Sequence, residues 1–367
     1  MRDAREKPAR RGRSSAPRSA GQCVRLGLRA FAWLLVPGLL GGCSAVVLGP
    51  SGYIALRERN LIIAVTLLML LIIVPVMVLT AMFARRYRAG NPEAVYDPEW
   101  HHSTQLEVVI WSVPLLIIIC IGAITWLSTH TLDPYRPLSR VDPSQPVPAG
   151  VKPLTIEVVS LDWKWLFLYP DHGVATVNEI RAPVNVPIFF KITSGAVMNS
   201  FFIPALAGQI YAMGGMQTQL HAVINQSGEY EGFSGNYSGV GFSRMNFRFY
   251  GTSQQDFDQW LAKVKSGGAK LDRAAYLQLE KPSEDVPVQY FSGVEDGLWD
   301  RILNLCVDPG SMCLSEMRQI DLHGGGGAES EQNAERLQYD NRRLEEKEGP
   351  EKRPQLFFKF GNGEQQH

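Results

Sequence analysis

No cysteine lies between Cys120 and Cys306, and none of the five in the chain forms a C-x-x-C pair, which excludes a zinc ribbon and a disulfide-dense secreted scaffold. Net charge is missing as well: 36 Lys and Arg balance 36 Asp and Glu, so no global field recruits nucleic acid and no nucleic-acid partner is expected. Disorder throughout is excluded by a composition of 45% hydrophobic and 20% charged residues. At 367 residues the chain exceeds one ordinary domain of about 150 residues, so several structural units are expected. Its mean hydropathy of −0.07 resembles that of a soluble protein. That average conceals three apolar blocks, all before residue 130.

The first block follows a basic segment holding Arg2, Arg5, Lys7, Arg10, Arg11, Arg13, Arg18, Arg25 and Arg29. It runs only from Ala30 to Leu40, about 16 Å as a helix, which is too short to cross a bilayer and has the build of a bacterial export signal. The run ends Leu40-Gly41-Gly42-Cys43, which resembles the lipobox of bacterial lipoproteins and makes Cys43 the expected lipidated, palmitate-bearing mature N-terminus. The second block, Leu61 to Ala84, carries no charge and reaches about 36 Å as a helix, enough to span a bilayer with some tilt. A second span is expected over 108–127, with Trp111 and Trp126 as interfacial anchors. Arg85, Arg86 and Arg88 between the spans put that short loop in the cytoplasm, so both ends of the hairpin face outward.

Six prolines between Asp133 and Pro153 predict an extended linker. Short β-rich runs follow at 154–160, 188–193 and 220–224, separated by Gly, Pro and Asn, as a β-sandwich requires. Thr252 or Ser253 can cap a helix over 254–265 that places Phe257, Trp260, Leu261 and Val264 on one face; another helix is plausible over 271–279. Beyond His323 a four-glycine run and a charged, aromatic-poor stretch predict a disordered tail. The chain thus divides into a signal (1–42), a transmembrane hairpin (43–132), a linker (133–153), a sandwich (154–250), a helical extension (251–322) and a tail (323–367).

Glu107-Val-Val-Ile-Trp111-Ser-Val-Pro114, Asp162-Trp163-Lys164-Trp165 and Met198-Asn199-Ser200-Phe201-Phe202-Ile203-Pro204, in this order behind a lipobox and a hairpin, resemble subunit II of the haem-copper terminal oxidases. The resemblance implies a membrane-anchored α+β chain whose exported sandwich is cupredoxin-like. Members that oxidise cytochrome c hold a two-copper centre on a histidine and, some 35 residues later, C-x3-C-x3-H-x2-M. At those positions this chain has Asn199, Ser234, Ser238, Phe242 and Met245, and only Met245 matches. A soft copper centre needs thiolate and imidazole ligands. Met198, Met213 and Met216 are weak thioethers and His172 and His221 are scattered, so no metal is expected in this chain.

The loss of the copper ligands resembles the quinol-oxidising, cytochrome bo-type branch. This implies a proton-pumping quinol:oxygen oxidoreductase in which the chain is structural and non-redox. Two haems and one copper are then expected in a partner, subunit I, which also binds most of the quinol, with further small membrane subunits and the lipid bilayer as surroundings. The residues leave two other functions open: a cytochrome c oxidase subunit II, which the ligand set opposes, and a membrane lipoprotein whose sandwich binds a ligand or a protein.

Three local readings also stay open. Glu107 is a proton-path candidate by resemblance, while Thr104-x-x-Glu107 equally fits a capping box. Trp163 and Trp165 are expected on one face of a strand opposite Asp162 and Lys164, as core or as a residual electron-entry surface. Cys306 and Cys313 flank the turn Asp308-Pro309-Gly310 and can form a disulfide, remain thiols, or join Met312 at a metal.

Overall fold

The computed structural model describes residues 46–95 and 97–322; the signal, Cys43 and the tail lie outside the described residues. Helix α1 (Tyr53–Arg86) and helix α2 (Thr104–Thr131) are long and apolar enough to cross a bilayer. Both outrun the expected spans of 61–84 and 108–127. Once a helix has nucleated, adding a polar turn costs little, so α1 continues through Arg57, Glu58 and Arg59, well beyond its uncharged run. Pro75 and Pro114 stay within the helices.

The sandwich is built from β1 (Leu154–Leu161), β2 (Lys164–Tyr169), β3 (Val174–Val177), β4 (Glu179–Pro183), β5 (Ile188–Ser194), β6 (Asn199–Phe202), β7 (Ile210–Ala212), β8 (Thr218–Ala222), β9 (Gly228–Ser234) and β10 (Asn246–Thr252). A 3-10 turn, Val240–Arg244, lies between β9 and β10. The extension supplies helix α3 (Gln254–Ser266), β11 (Lys270–Leu271), helix α4 (Arg273–Glu280), β12 (Gln289–Phe291), β13 (Gly293–Val294), helix α5 (Leu298–Leu303) and helix α6 (Leu314–Leu322).

One sheet has the order β12-β3-β2-β1-β5-β8 and the facing one β4-β10-β9-β6-β7. Most neighbours are antiparallel, but β1 runs parallel to β5 and β4 parallel to β10. Between the sheets Trp165, Phe167, Phe190, Phe201, Phe247 and Phe249 are buried, each worth roughly 1.5–3 kcal/mol relative to exposure. Phe201 and Phe247 stack at 5.4 Å, and Trp165 meets both edge-on.

The extension is not only helical. Its β12 pairs with the edge of β3, which removes an open row of backbone donors and acceptors, and β11 pairs with β13. Ser253 caps α3, accepting from Asp256 N at 3.1 Å, and Phe257, Trp260, Leu261 and Val264 are its buried face. The next helix starts at Arg273 rather than Leu271, because Asp272 caps it by accepting from Ala275 N at 2.8 Å. The proline-rich segment 133–153 is no free spacer either. Val141 packs with Tyr53 and Val223 in a small apolar cluster, and Asn225 Nδ2 donates to the Val141 carbonyl at 3.0 Å.

Candidate functional site

Of the residues at the five copper-ligand positions, Asn199 and Ser234 are joined side chain to side chain, while Ser238, Phe242 and Met245 follow on the loop and turn after β9. Asn199 starts β6, Ser234 ends β9, Phe242 lies in the 3-10 turn and Met245 follows it, fully buried. Ser234 Oγ lies 3.0 Å from Asn199 Oδ1 and 3.1 Å from the Asn236 carbonyl, and the Ser200 N–H donates to it at 3.4 Å. Asn199 Nδ2 donates to the Val197 carbonyl at 3.1 Å. Met245 N donates to the Phe242 carbonyl at 3.1 Å, and the Phe242 ring meets Tyr237 edge-on at 5.6 Å. Ser238 Oγ is buried without a hydrogen-bond partner.

An amide, two hydroxyls, a phenyl ring and one thioether are hard or weak donors, and none supplies the thiolate or imidazole of a two-copper centre. These residues do not fit that cofactor. What holds this region instead is the Ser234–Asn199 contact together with hydrogen bonds from these two side chains to backbone groups. Met198 and Met216 are 43% and 55% exposed. Among the described residues no cluster of three or more His, Cys, Asp or Glu is arranged for a metal.

The Asp-Trp-Lys-Trp word resolves differently from a four-residue strand. Leu161 pairs with Lys164, so Asp162 and Trp163 form a two-residue hairpin turn and the two tryptophans do not share a strand face. Trp163 is left-handed, with φ 64°, a conformation that costs a bulky residue of order 1–3 kcal/mol. Its indole Nε1 donates to the Ser238 carbonyl at 3.0 Å and its ring lies over Gly241, where a side chain would collide with it. Trp165 is core. Lys164 is buried too, its Nζ donating to the carbonyls of Asp162 and Lys281 and to Ser283 Oγ at 2.7–3.0 Å, which ties the hairpin to the extension.

The capping box at Glu107 does not form. Ser103, not Thr104, is the N-cap, so Thr104 already has helical geometry and its hydroxyl cannot receive the helix amides. Glu107 instead accepts from His102, whose Nδ1 lies 2.8 Å from Oε1, and the carboxylate is about half exposed. Acidic placement in the first turn still suits the helix dipole.

Cys306 and Cys313 are joined by a disulfide, and Arg273 Nε donates to the Val307 carbonyl inside the closed loop. Cys120, within α2, is a free thiol.

A second feature, absent from the sequence reading, lies where the helices meet the sandwich. Gly208 N donates to Glu58 Oε1 at 3.0 Å across 150 positions of sequence. Arg57, Asp133, Arg136 and His221 line the same cavity, of about 180 Å³. Burial holds His221, which stacks on Phe189 at 4.6 Å, below the ordinary histidine range. Burial and then the nearby Lys265 do the same to His172. Only the run of charge before Leu61 hinted at this junction.

The chain is also similar to known proteins. Residues 173–249 match the family described as "Cytochrome C oxidase subunit II, periplasmic domain", and 265–310 match the "COX Aromatic Rich Motif". The chain is 53% identical over 276 residues to "Cytochrome bo(3) ubiquinol oxidase subunit 2" of Pseudomonas aeruginosa, covering 75% of this chain and 81% of that one. It is 49% identical to "Ubiquinol oxidase subunit 2" of Acetobacter aceti, covering 72% and 84%. Against "Quinol oxidase subunit 2" of Bacillus cereus identity is 36%, covering 66% and 81%.

Proposed function

Since the chain belongs to the ubiquinol oxidase subunit 2 family, we propose that it is the structural, non-redox second subunit of a proton-pumping quinol:oxygen oxidoreductase of an aerobic respiratory chain. The observation that carries this reading is the self-satisfied Asn199–Ser234 pair standing where a cytochrome c-oxidising subunit needs copper ligands. Without that relay, electrons enter the complex from quinol at the partner subunit, which holds two haems and one copper. The hairpin buttresses that subunit's helices and the sandwich caps it.

In this proposal Cys43 carries lipid in the bacterial inner membrane, both ends of the hairpin lie in the periplasm, and further small membrane subunits complete the assembly. Arg85, Arg86 and Arg88 hold the loop between the helices in the cytoplasm. Glu107 then sits at the cytoplasmic mouth of α2, and its half-exposed carboxylate, bonded to His102, collects protons for the catalytic subunit.

The test is purification through a carboxy-terminal tag in mild detergent, with haem and copper analysis and oxygen uptake driven by quinol or by reduced cytochrome c. Haem with uptake from quinol alone is expected. Uptake from cytochrome c, or a haem-free preparation, refutes the proposal. Glu107→Gln is expected to slow quinol-driven turnover several-fold with haem content unchanged; full turnover removes the proton role.

A further inference from the structure

The cavity at the helix–sandwich junction holds an unusual balance of charge. Arg57 and Arg136 line it together with Glu58 and Asp133, two cations and two anions, within about 180 Å³. No ion pair joins any of the four to one another or to another described residue. Each has another hydrogen-bond partner, Arg57 Nη1 donating to Tyr53 Oη at 3.5 Å. Glu58 accepts from the Gly208 amide at 3.0 Å, in space that a Gly208 side chain would occupy. Asp133 Oδ1 accepts from Tyr135 N at 2.9 Å, and Arg136 Nη1 donates to the His130 carbonyl at 3.3 Å near the end of α2.

Depth narrows what this cavity meets. Glu58 stands three residues before the uncharged run that begins at Leu61, about 4.5 Å along the helix. Thr131, also in the lining, stands four residues beyond Leu127, about 6 Å. A leaflet's headgroup layer is about 5–7 Å thick, so the cavity opens at headgroup level. It is smaller than the roughly 300–1,000 Å³ of pockets that swallow a whole drug-sized ligand, which suits a compact polar group tethered to something left outside.

We propose that this junction binds the headgroup of a zwitterionic phospholipid bearing a primary ammonium. The two guanidiniums take the phosphate, and Glu58 and Asp133 take the ammonium. A quaternary ammonium has no N–H to donate to these carboxylates, and an anionic headgroup brings them no ammonium to accept from. The proposal rests on the membrane placement given under Proposed function.

The test uses the whole purified complex in lipid nanodiscs with photoreactive phosphatidylethanolamine, phosphatidylcholine and phosphatidylglycerol probes, followed by peptide mapping. Phosphatidylethanolamine is expected to label the peptides around Tyr53 and His221 well above the other two. Glu58→Gln or Asp133→Asn should reduce that selectivity about tenfold, the value of one charge-assisted hydrogen bond. Arg136→Gln should lower labelling by phosphatidylethanolamine and phosphatidylglycerol alike, and the two carboxamide variants guard against one failing to fold. Equal labelling by all three lipids, unchanged selectivity in both carboxamide variants, labelling only elsewhere, or displacement by inorganic phosphate alone overturns the lipid site. In parallel, Lys152→Cys is reacted with a membrane-impermeant maleimide on spheroplasts. A reactive cysteine with unselective lipid labelling defeats the lipid site alone, whereas an unreactive one defeats the membrane orientation on which both readings stand.

Discussion

Strand β6 is four residues long, yet the polar groups beyond its two ends behave differently. At the Asn199 end, amide and hydroxyl groups bond among themselves. Past the Phe202 end the chain runs to Gly208 and a cavity whose four charged side chains make no ion pair among the described residues. A buried polar site without metal-binding donors is satisfied by neutral hydrogen bonds, because an unpaired buried donor or acceptor costs about 1–3 kcal/mol. Charges can stay apart at the other end because that end is only partly buried and adjoins the headgroup layer in the proposed membrane arrangement.

Phe201, fully buried between the two ends, is the position where a change is felt most. Phe201→Ala should cost about 3–5 kcal/mol, read as a large drop in the thermal midpoint of the detergent-solubilised complex. The next effect sharpens the contrast between Ser234 and Ser238. Ser234→Ala strips a hydroxyl that serves three partners and should cost about 1–3 kcal/mol, whereas Ser238→Ala removes a hydroxyl with no partner and should be neutral or slightly stabilising. Equal costs for the two serines would break the account of a self-satisfied site.

The smallest effect belongs to the junction. The folded state lowers the His221 pKa, so the unfolded chain binds its proton first as pH falls. The associated stability is present above the unfolded value of about 6.5 and is lost as pH falls through the lower folded value. Thermal midpoints measured from pH 7.5 downward should therefore decline, and His221→Gln should flatten part of that decline. His172 acts in the same direction and is the control to vary separately.

The sequence made the sandwich legible where apolar and β-branched residues recur, as in Leu154–Leu161 and Ile188–Ser194, and α3 where Ser253 precedes an apolar stripe. The copper-ligand positions were readable through the family resemblance, after which residue identity alone shows the missing thiolate and imidazole. The Trp163 turn was not, because a left-handed tryptophan is unfavourable locally and is held by Ser238, 75 positions away. The Glu107 cap failed by one residue: the same Thr and Glu spacing serves a capping box only if the helix starts at Thr104's neighbour on the other side. The junction was barely hinted at by the charges before Leu61, because Glu58, Asp133 and Gly208 are brought together only by the complete fold.

The small cluster of Tyr53, Val141 and Val223 has a consequence for biogenesis. Its members come from the first residue of α1, the segment after α2, and the sandwich just beyond β8. The domain cannot finish its own surface until both helices and nearly a hundred further residues have been synthesised. A fragment starting after α2 would keep Val141 but lack Tyr53, leaving Val223 only partly covered, so the hairpin that holds the domain at the bilayer also supplies part of its hydrophobic interior.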